Sequence, residues 1–170
     1  MSQNTPQLIA LQEQHLELVR AWRNHDDIRP LMLSQHTIDA DEHRAWFDKL
    51  ATQPQRKAYV YTDSSGPAGF VQFDGLMPQS TATWGFYKAP NAPKGTGYTM
   101  LTLALQALFN EYKVHKVAAQ VLGSNIASLG LHSKLGFRQE GTLRAHVLLG
   151  GAWHDVVCFG LLDTEYATWK

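Results

Sequence analysis

The chain has 170 residues, 44% of them hydrophobic, with 15 Lys+Arg balanced by 15 Asp+Glu. That length holds one domain with a sizeable core, here residues 1–170, and zero formal net charge argues against nucleic acid or an acidic membrane surface as partner. No apolar run approaches a membrane span, Met1 to Ile9 carries neither a basic nor an apolar leader pattern, and the lone cysteine, Cys158, precludes an internal disulfide, so a cytoplasmic location is expected.

In chain order, Leu8 to Leu11 reads as a short strand. Leu16, Val19, Arg20, Trp22 and Arg23 follow at helical spacing, and Pro30 bounds that helix. A loop from Ile28 to Thr37 carries Met32, Ser34 and His36, and Asp39-x-x-Glu42 opens a second helix in the manner of a capping box. On that helix His43 shares a side with Trp46 and Phe47. Three runs, Ala58–Tyr61, Gly69–Phe73 and Thr81–Tyr87, predict strands whose hairpin-length connections make them antiparallel. Leu101, Ala104, Leu105, Leu108 and Tyr112 then predict an amphipathic helix. Val117–Leu122 reads as a fully buried strand, and Asn125 to Leu135 as a short helix stopped by Gly136. A hairpin, Thr142–Leu149 and Trp153–Leu162, turns at Gly150–Gly151, and its Val156–Phe159 run makes Cys158 a core thiol. This order is α/β with a mixed, mostly antiparallel sheet flanked by helices.

The stretch with chemical content is the loop Ala89 to Gly97, which joins a strand to a helix. Two glycines and Lys94 just before a helix N-terminus make an anion site, because first-turn N–H groups are unpaired and glycine admits a phosphate to the backbone. A Walker A string is absent, and a dinucleotide fingerprint would need glycine where Met100 stands. An ordinary turn is the alternative for such a short motif. Farther on, Asn125, Ser128 and His132 are spaced by three and four and form one polar stripe.

Lys94–Gly95–Thr96–Gly97 resembles the loop that holds the pyrophosphate of coenzyme A in GNAT acyltransferases, with Ala92 where that family carries Gln or Arg. Asn125, His132 and the Leu135–Gly136–Phe137 ending resemble the family's Asn-x-x-[Ala/Ser]-x-x-x-Tyr-x-x-x-Gly-Phe helix, with His132 at the Tyr position. The resemblance covers almost the whole chain and implies the GNAT fold, acetyl-CoA as co-substrate and no metal. It places Phe86, Tyr87, Lys88, Lys94, Gly95, Thr96, Gly97, Tyr98, Asn125 and Ser128 against the cofactor. It casts His132 as the acid for the departing thiolate, a role a water could also fill. His43 is the best of several candidate bases (His36, Glu42 and Asp74 are others), and core packing is its alternative.

Trp22–Arg23–Asn24 and the Glu42–His43, Trp46–Phe47 helix are similar to a branch of that family acting on ribosomal-protein N-termini, polyamines or a UDP-linked 4-amino-4,6-dideoxy sugar of pseudaminic acid biosynthesis. Gly69-x-Val71-x-Phe73 and Trp153-x-Asp155–Val156 point within it to the amino-sugar nucleotide as small-molecule substrate. A nucleotide-sugar wants aromatic platforms and cationic or imidazole donors, types supplied by Arg23, His36, Trp46, Phe73 and Trp84, with Met32 beside them. A ribosomal-protein or polyamine acceptor, a non-catalytic acyl-CoA-binding module, and a homodimeric assembly are the further expectations.

Overall fold

Strands rich in β-branched and aromatic residues, joined by turns too short for a crossover, must pair antiparallel. In the computed structural model, which describes residues 5–169, this holds for β2 (Lys57–Asp63), β3 (Gly66–Asp74) and β4 (Thr81–Lys88), while β1 (Gln7–Ala10) pairs antiparallel with β2. Met1 to Asn4, part of the segment read for a leader, lie outside the described residues. Between β1 and β2 come α1 (Leu16–Asn24), a short 3-10 turn at Arg29–Leu31, and α2 (Ala40–Leu50). Asp39 caps α2 by accepting from the Glu42 amide at 2.8 Å. The Glu42 carboxylate turns instead to His36 Nε2 at 2.8 Å, so only half of the expected capping box forms.

After β4, α3 (Thr96–Gln106) ends in a π turn at Ala107–Glu111 and carries the chain over the sheet, which forces β5 (Lys116–Leu122) to run parallel to β4. Then α4 (Ile126–Lys134) leads to the hairpin of β6 (Arg138–Leu149) and β7 (Ala152–Leu162), turning at Gly150 (φ 56°) and Gly151 (φ 80°), and α5 (Asp163–Trp169) follows. The seven-stranded order is β1-β2-β3-β4-β5-β7-β6. No helix among the described residues is long and apolar enough to cross a membrane.

One core lies between the sheet and α3, with Phe73, Met100, Leu101, Leu105, Leu108 and Leu161 almost fully excluded from solvent. A second lies under α1, where Val19 and Trp22 meet Val60 and Phe70. Gln120 is exposed and Ala118 half-buried, so one face of β5 stays open rather than fully buried. For the same reason Cys158 of β7, which pairs with Gln120 of β5, is half-buried rather than a core thiol. The α5 helix was not among the expected elements. It is short and follows β7 without a break, held by Leu162 N–H donating to Glu165 Oε2 and by Tyr166 stacked on Phe109 at 4.7 Å.

The feature that shapes the site is where β4 and β5 stop pairing. Thr81, Ala82 and Thr83 match Lys116, Val117 and Ala118, and the register ends there. Beyond it, Trp84 to Lys88 remain paired with β3 on one side only.

Phe73, expected against substrate, belongs to the core. It has no exposed surface and packs between the rings of Tyr59 (5.5 Å) and Tyr112 (6.2 Å). Phe73→Ala is therefore expected to cost about 3–5 kcal/mol of stability in a urea melt, with the KM for the amine acceptor unchanged in the folded enzyme. A raised KM at intact stability would return Phe73 to the site.

Candidate active site

Where β4 leaves β5 a cavity of ≈ 600 Å³ opens. Trp84 to Pro90 form one wall and Ala119 to Leu122 of β5 the other. Asn125, Ser128 and His132 of α4 and Gly97 and Met100 of α3 close two further sides. A strand that has lost a neighbour presents a row of backbone donors and acceptors, so the β4 edge offers a linear, extended ligand a partner for its amides.

The first turn of α3 faces the same space. Gly95 precedes it in the left-handed conformation (φ 97°), and the Thr99 N–H returns to Gly95 O at 3.1 Å. A Cβ on Gly97 would meet nothing nearer than Leu131 Cδ2 at 3.4 Å, so the helix start is open toward the cavity. Amides of a first turn have no acceptor within their helix, and with the dipole behind them they suit a phosphate. Thr96 is buried at the helix start, Lys94 is exposed, and Tyr98 lies under Lys134 Nζ at 4.4 Å. Ala92, which stands where the resembling loop has a long polar side chain, packs on the core, and Lys88 Nζ donates to its carbonyl at 3.1 Å.

On α4, Asn125 caps the helix by accepting from the Ser128 amide at 3.1 Å. His132 lines the cavity but is 1% exposed. Its Nδ1 lies 2.8 Å from the Ser128 carbonyl, and Trp84 Nε1–H donates to its Nε2 at 3.2 Å. A carbonyl can only accept and an indole N–H can only donate, so the proton sits on Nδ1 and Nε2 carries the lone pair. Burial lowers the imidazole's pKa from its ordinary value, only partly offset by the Ser128 carbonyl. This geometry gives no support to the expectation of a proton donor at His132: its one N–H is given to the backbone, and burial disfavours the charged ring.

The remaining end of the cavity is the loop after α1, with Ile28, Leu31, Met32 and Leu33 on the wall and Asp27 as its only carboxylate. Of the residues expected to bind substrate, Met32 and Trp84 reach the cavity; Arg23, His36 and Trp46 do not. Arg23 donates through Nη2 to the Ser34 carbonyl, and its burial lowers its pKa. His36 is spanned between Ser34 Oγ (3.0 Å) and Glu42 (2.8 Å). Trp46 packs edge-on against Phe70 at 5.9 Å. His43, the expected base, is 6% exposed and stacks on Trp46 at 5.1 Å, away from the cavity wall. Burial first, then the Arg20 charge, hold its pKa below the ordinary value, which is the signature of a core histidine. Asp74, another candidate base, is paired with Arg56. Tyr87 reaches the cavity and stacks on Phe70 at 5.0 Å; desolvation raises its phenol, which stays protonated.

The reading of the sequence missed Asp27, Ile28, Leu31 and Leu33, although four apolar side chains crowded into one loop were a signal that the loop covers something. It also missed the β5 wall, because a strand's partners beyond its pairing are set by the divergence and not by its own residues.

The Acetyltransferase (GNAT) domain family matches residues 7–138. The chain is similar to the SPbeta prophage-derived uncharacterized N-acetyltransferase YokL of Bacillus subtilis (strain 168), 30% identical over 83% of this chain and 81% of that protein. It is also similar to Acetyltransferase PseH of Campylobacter jejuni subsp. jejuni serotype O:23/36 (strain 81-176), 29% identical over 75% of this chain and 79% of that protein. Among solved structures, spermidine N-acetyltransferase from Vibrio cholerae in complex with CoA and spermine shares the fold, with a TM-score of 0.89 at 22% identity, covering 96% of this chain and 98% of that one. The parted strands, the open helix start beside them and this match together show that the chain belongs to the GNAT family and is an acetyl-CoA-dependent N-acetyltransferase.

Proposed function

We propose that the acceptor is the free amine of a UDP-linked 4-amino-4,6-dideoxy sugar, admitted past the Ile28–Leu33 loop to the cavity between β4 and β5. The observation that carries this reading is the composition of that entrance: four apolar side chains and a single carboxylate, Asp27. A polycationic amine needs several carboxylates to replace its hydration, whereas a deoxy sugar brings a methyl group and an apolar ring face that such a wall receives. The motifs shared with sugar-nucleotide acetyltransferases and the similarity to Acetyltransferase PseH support the same choice.

In this reading the amides of Gly95, Gly97 and Tyr98, with Lys94, hold the cofactor's diphosphate, the Thr96 amide being given to the Pro93 carbonyl at 3.3 Å, and Asn125 and Ser128 flank its pantetheine arm. Acetyl-CoA supplies an acetyl group activated as a thioester. The backbone from Phe86 to Lys88 gives a hydrogen bond to the carbonyl oxygen as charge gathers on it, and the rest of the catalysis is alignment of the neutral amine. One N–C bond forms and one C–S bond breaks; the nitrogen loses a proton, and the thiolate leaves with the electron pair. Water carries that proton, since the two expected side chains, His43 and His132, are both sequestered. A thiolate whose parent thiol titrates near ~8.5 is a good enough leaving group to need no buried acid. Met32 and Trp84 contact the acceptor, with Arg23, His36 and Trp46 bracing the loop from behind.

Release of CoA thiol, measured with UDP-4-amino-4,6-dideoxy hexose, spermidine and an alanine-terminated peptide in parallel, tests the acceptor. The sugar is expected to show the highest kcat/KM, by about 100-fold or more. Preference for spermidine or the peptide would replace the sugar while leaving acetyl transfer in place.

Gly97→Val tests the diphosphate site. A Cβ at this position meets only Leu131 Cδ2, at 3.4 Å, and the branch beyond it stands where a phosphate approaches in this reading. Acetyl-CoA affinity should fall about tenfold or more, with the melting temperature little moved. Equal affinity in the two proteins would remove the α3 start from the site.

A further inference from the structure

The Trp84–His132 bond lies at a particular place in the sheet. Trp84 is the first residue of β4 beyond the last β4–β5 pair, Thr83 with Ala118. His132 sits on α4, which follows β5, and its ring is stacked on Phe159 of β7 (5.2 Å) and set edge-on to Phe137 at the chain's entry to β6 (5.1 Å). Trp84 and Phe86 belong to the other half of the sheet, with β1 to β3. The hydrogen bond therefore joins the two halves at the apex of the cleft that opens between them.

We propose that His132 is a positioning residue, a neutral clasp to Trp84 that fixes the angle between the half-sheets and so the distance from the β4 edge to α4. The proposal rests on the reading that these two elements grip the cofactor. Apolar packing alone would not fix the angle, because rings slide over one another at little cost while a buried indole N–H must keep its acceptor. With Nδ1–H given to the Ser128 carbonyl one turn earlier, the ring cannot rotate without losing both bonds.

The surroundings of His132 keep the clasp closed near neutral pH. The groups facing it are the Ser128 carbonyl and hydroxyl from α4, the latter at 3.4 Å, Trp84 and Phe86 from β4, Phe137 at the start of β6 and Phe159 from β7; none is charged. Protonation at Nε2 would take away Trp84's acceptor and leave a cation among four rings. Since the folded pKa lies below the ordinary 6.5, the unfolded chain takes up this proton first. The clasp's contribution is thus complete above about pH 6.5 and declines as pH falls from there through the folded pKa.

Nitrogen-15 NMR of the wild-type protein at pH 7.5 should show His132 protonated on Nδ1 and bare on Nε2, and His132→Phe should move the Trp84 indole resonance. Calorimetry should find acetyl-CoA bound about tenfold more weakly by His132→Phe and by Trp84→Phe, with the double variant no worse than either. His132→Gln, whose amide can both accept from Trp84 and donate to Ser128, should recover most of the affinity and carry kcat with it. A proton on Nε2, an indole resonance indifferent to His132, or additive losses in the double variant would overturn the clasp. So would a His132→Gln enzyme with wild-type affinity and kcat down by about 10²–10⁴, the mark of an acid. If no amine is acetylated by the wild type, the resonances and affinities still decide the clasp, and the failure falls on the acceptor reading alone.

Discussion

The structure depends on two neighbouring strands ceasing to be neighbours. Parallel pairing of β4 with β5 survives for three residues and then ends, although both strands continue. Every unpaired strand edge is a cost unless something else satisfies it. Here the unsatisfied edge faces a cavity closed by two helices, so the defect in the sheet and the candidate site are the same object. The crossover through α3 matters for this reason: it puts a helix start, with its outward amides, beside the point of divergence rather than at the far end of the sheet.

Two histidines on helices illustrate how burial decides between chemistry and architecture. Both His43 and His132 lie on helices close to aromatic side chains; an aromatic helix face made the first a candidate for proton transfer, and the Tyr position of the resembling helix made the second one. Both are almost excluded from water, and desolvation is the largest influence on each, lowering both pKa values. Burial disfavours the charged ring in both, and a ring whose one N–H is already given to the backbone, as in His132, has no proton to offer a ligand, whatever wall it lines. His132 differs from His43 in that both its nitrogens are engaged by named partners, one from each side of the cleft.

Much of the architecture was legible because the signals were local. The Asp39 cap, the glycine pair at Gly150–Gly151 and the left-handed Gly136 after α4 each encode a boundary in one or two residues. The start of α3 was legible for the same reason, since a glycine before a helix, here the left-handed Gly95, is a property of a short stretch. What failed to show was anything set by distance across the fold. Trp46 and Phe73 look like binding platforms in sequence, yet neighbours from other elements, Phe70 for one and Tyr59 with Tyr112 for the other, enclose them. Asp27 looks like one more loop carboxylate until the cavity wall is drawn and it is the only one there.

The same contrast bears on where specificity resides. In the proposed reading the cofactor side is built from backbone, the β4 edge and the first turn of α3, and backbone offers the same groups whatever the side chains. The acceptor side is built from side chains on a loop, Ile28 to Leu33, that is tied down from behind by Arg23 and Arg29 through the carbonyls of Ser34 and Gln35 and by Asn24 through Ile38. Those bonds hold the loop's backbone, and Ile28 with Met32 also packs on the core under α1, whereas Leu31 and Leu33 are exposed and belong to no core, so that part of the wall can change without disturbing the sheet. A loop of that kind lets one scaffold keep its acyl donor and exchange its amine, which is why membership of the family speaks for the donor here and the loop's composition for the proposed acceptor.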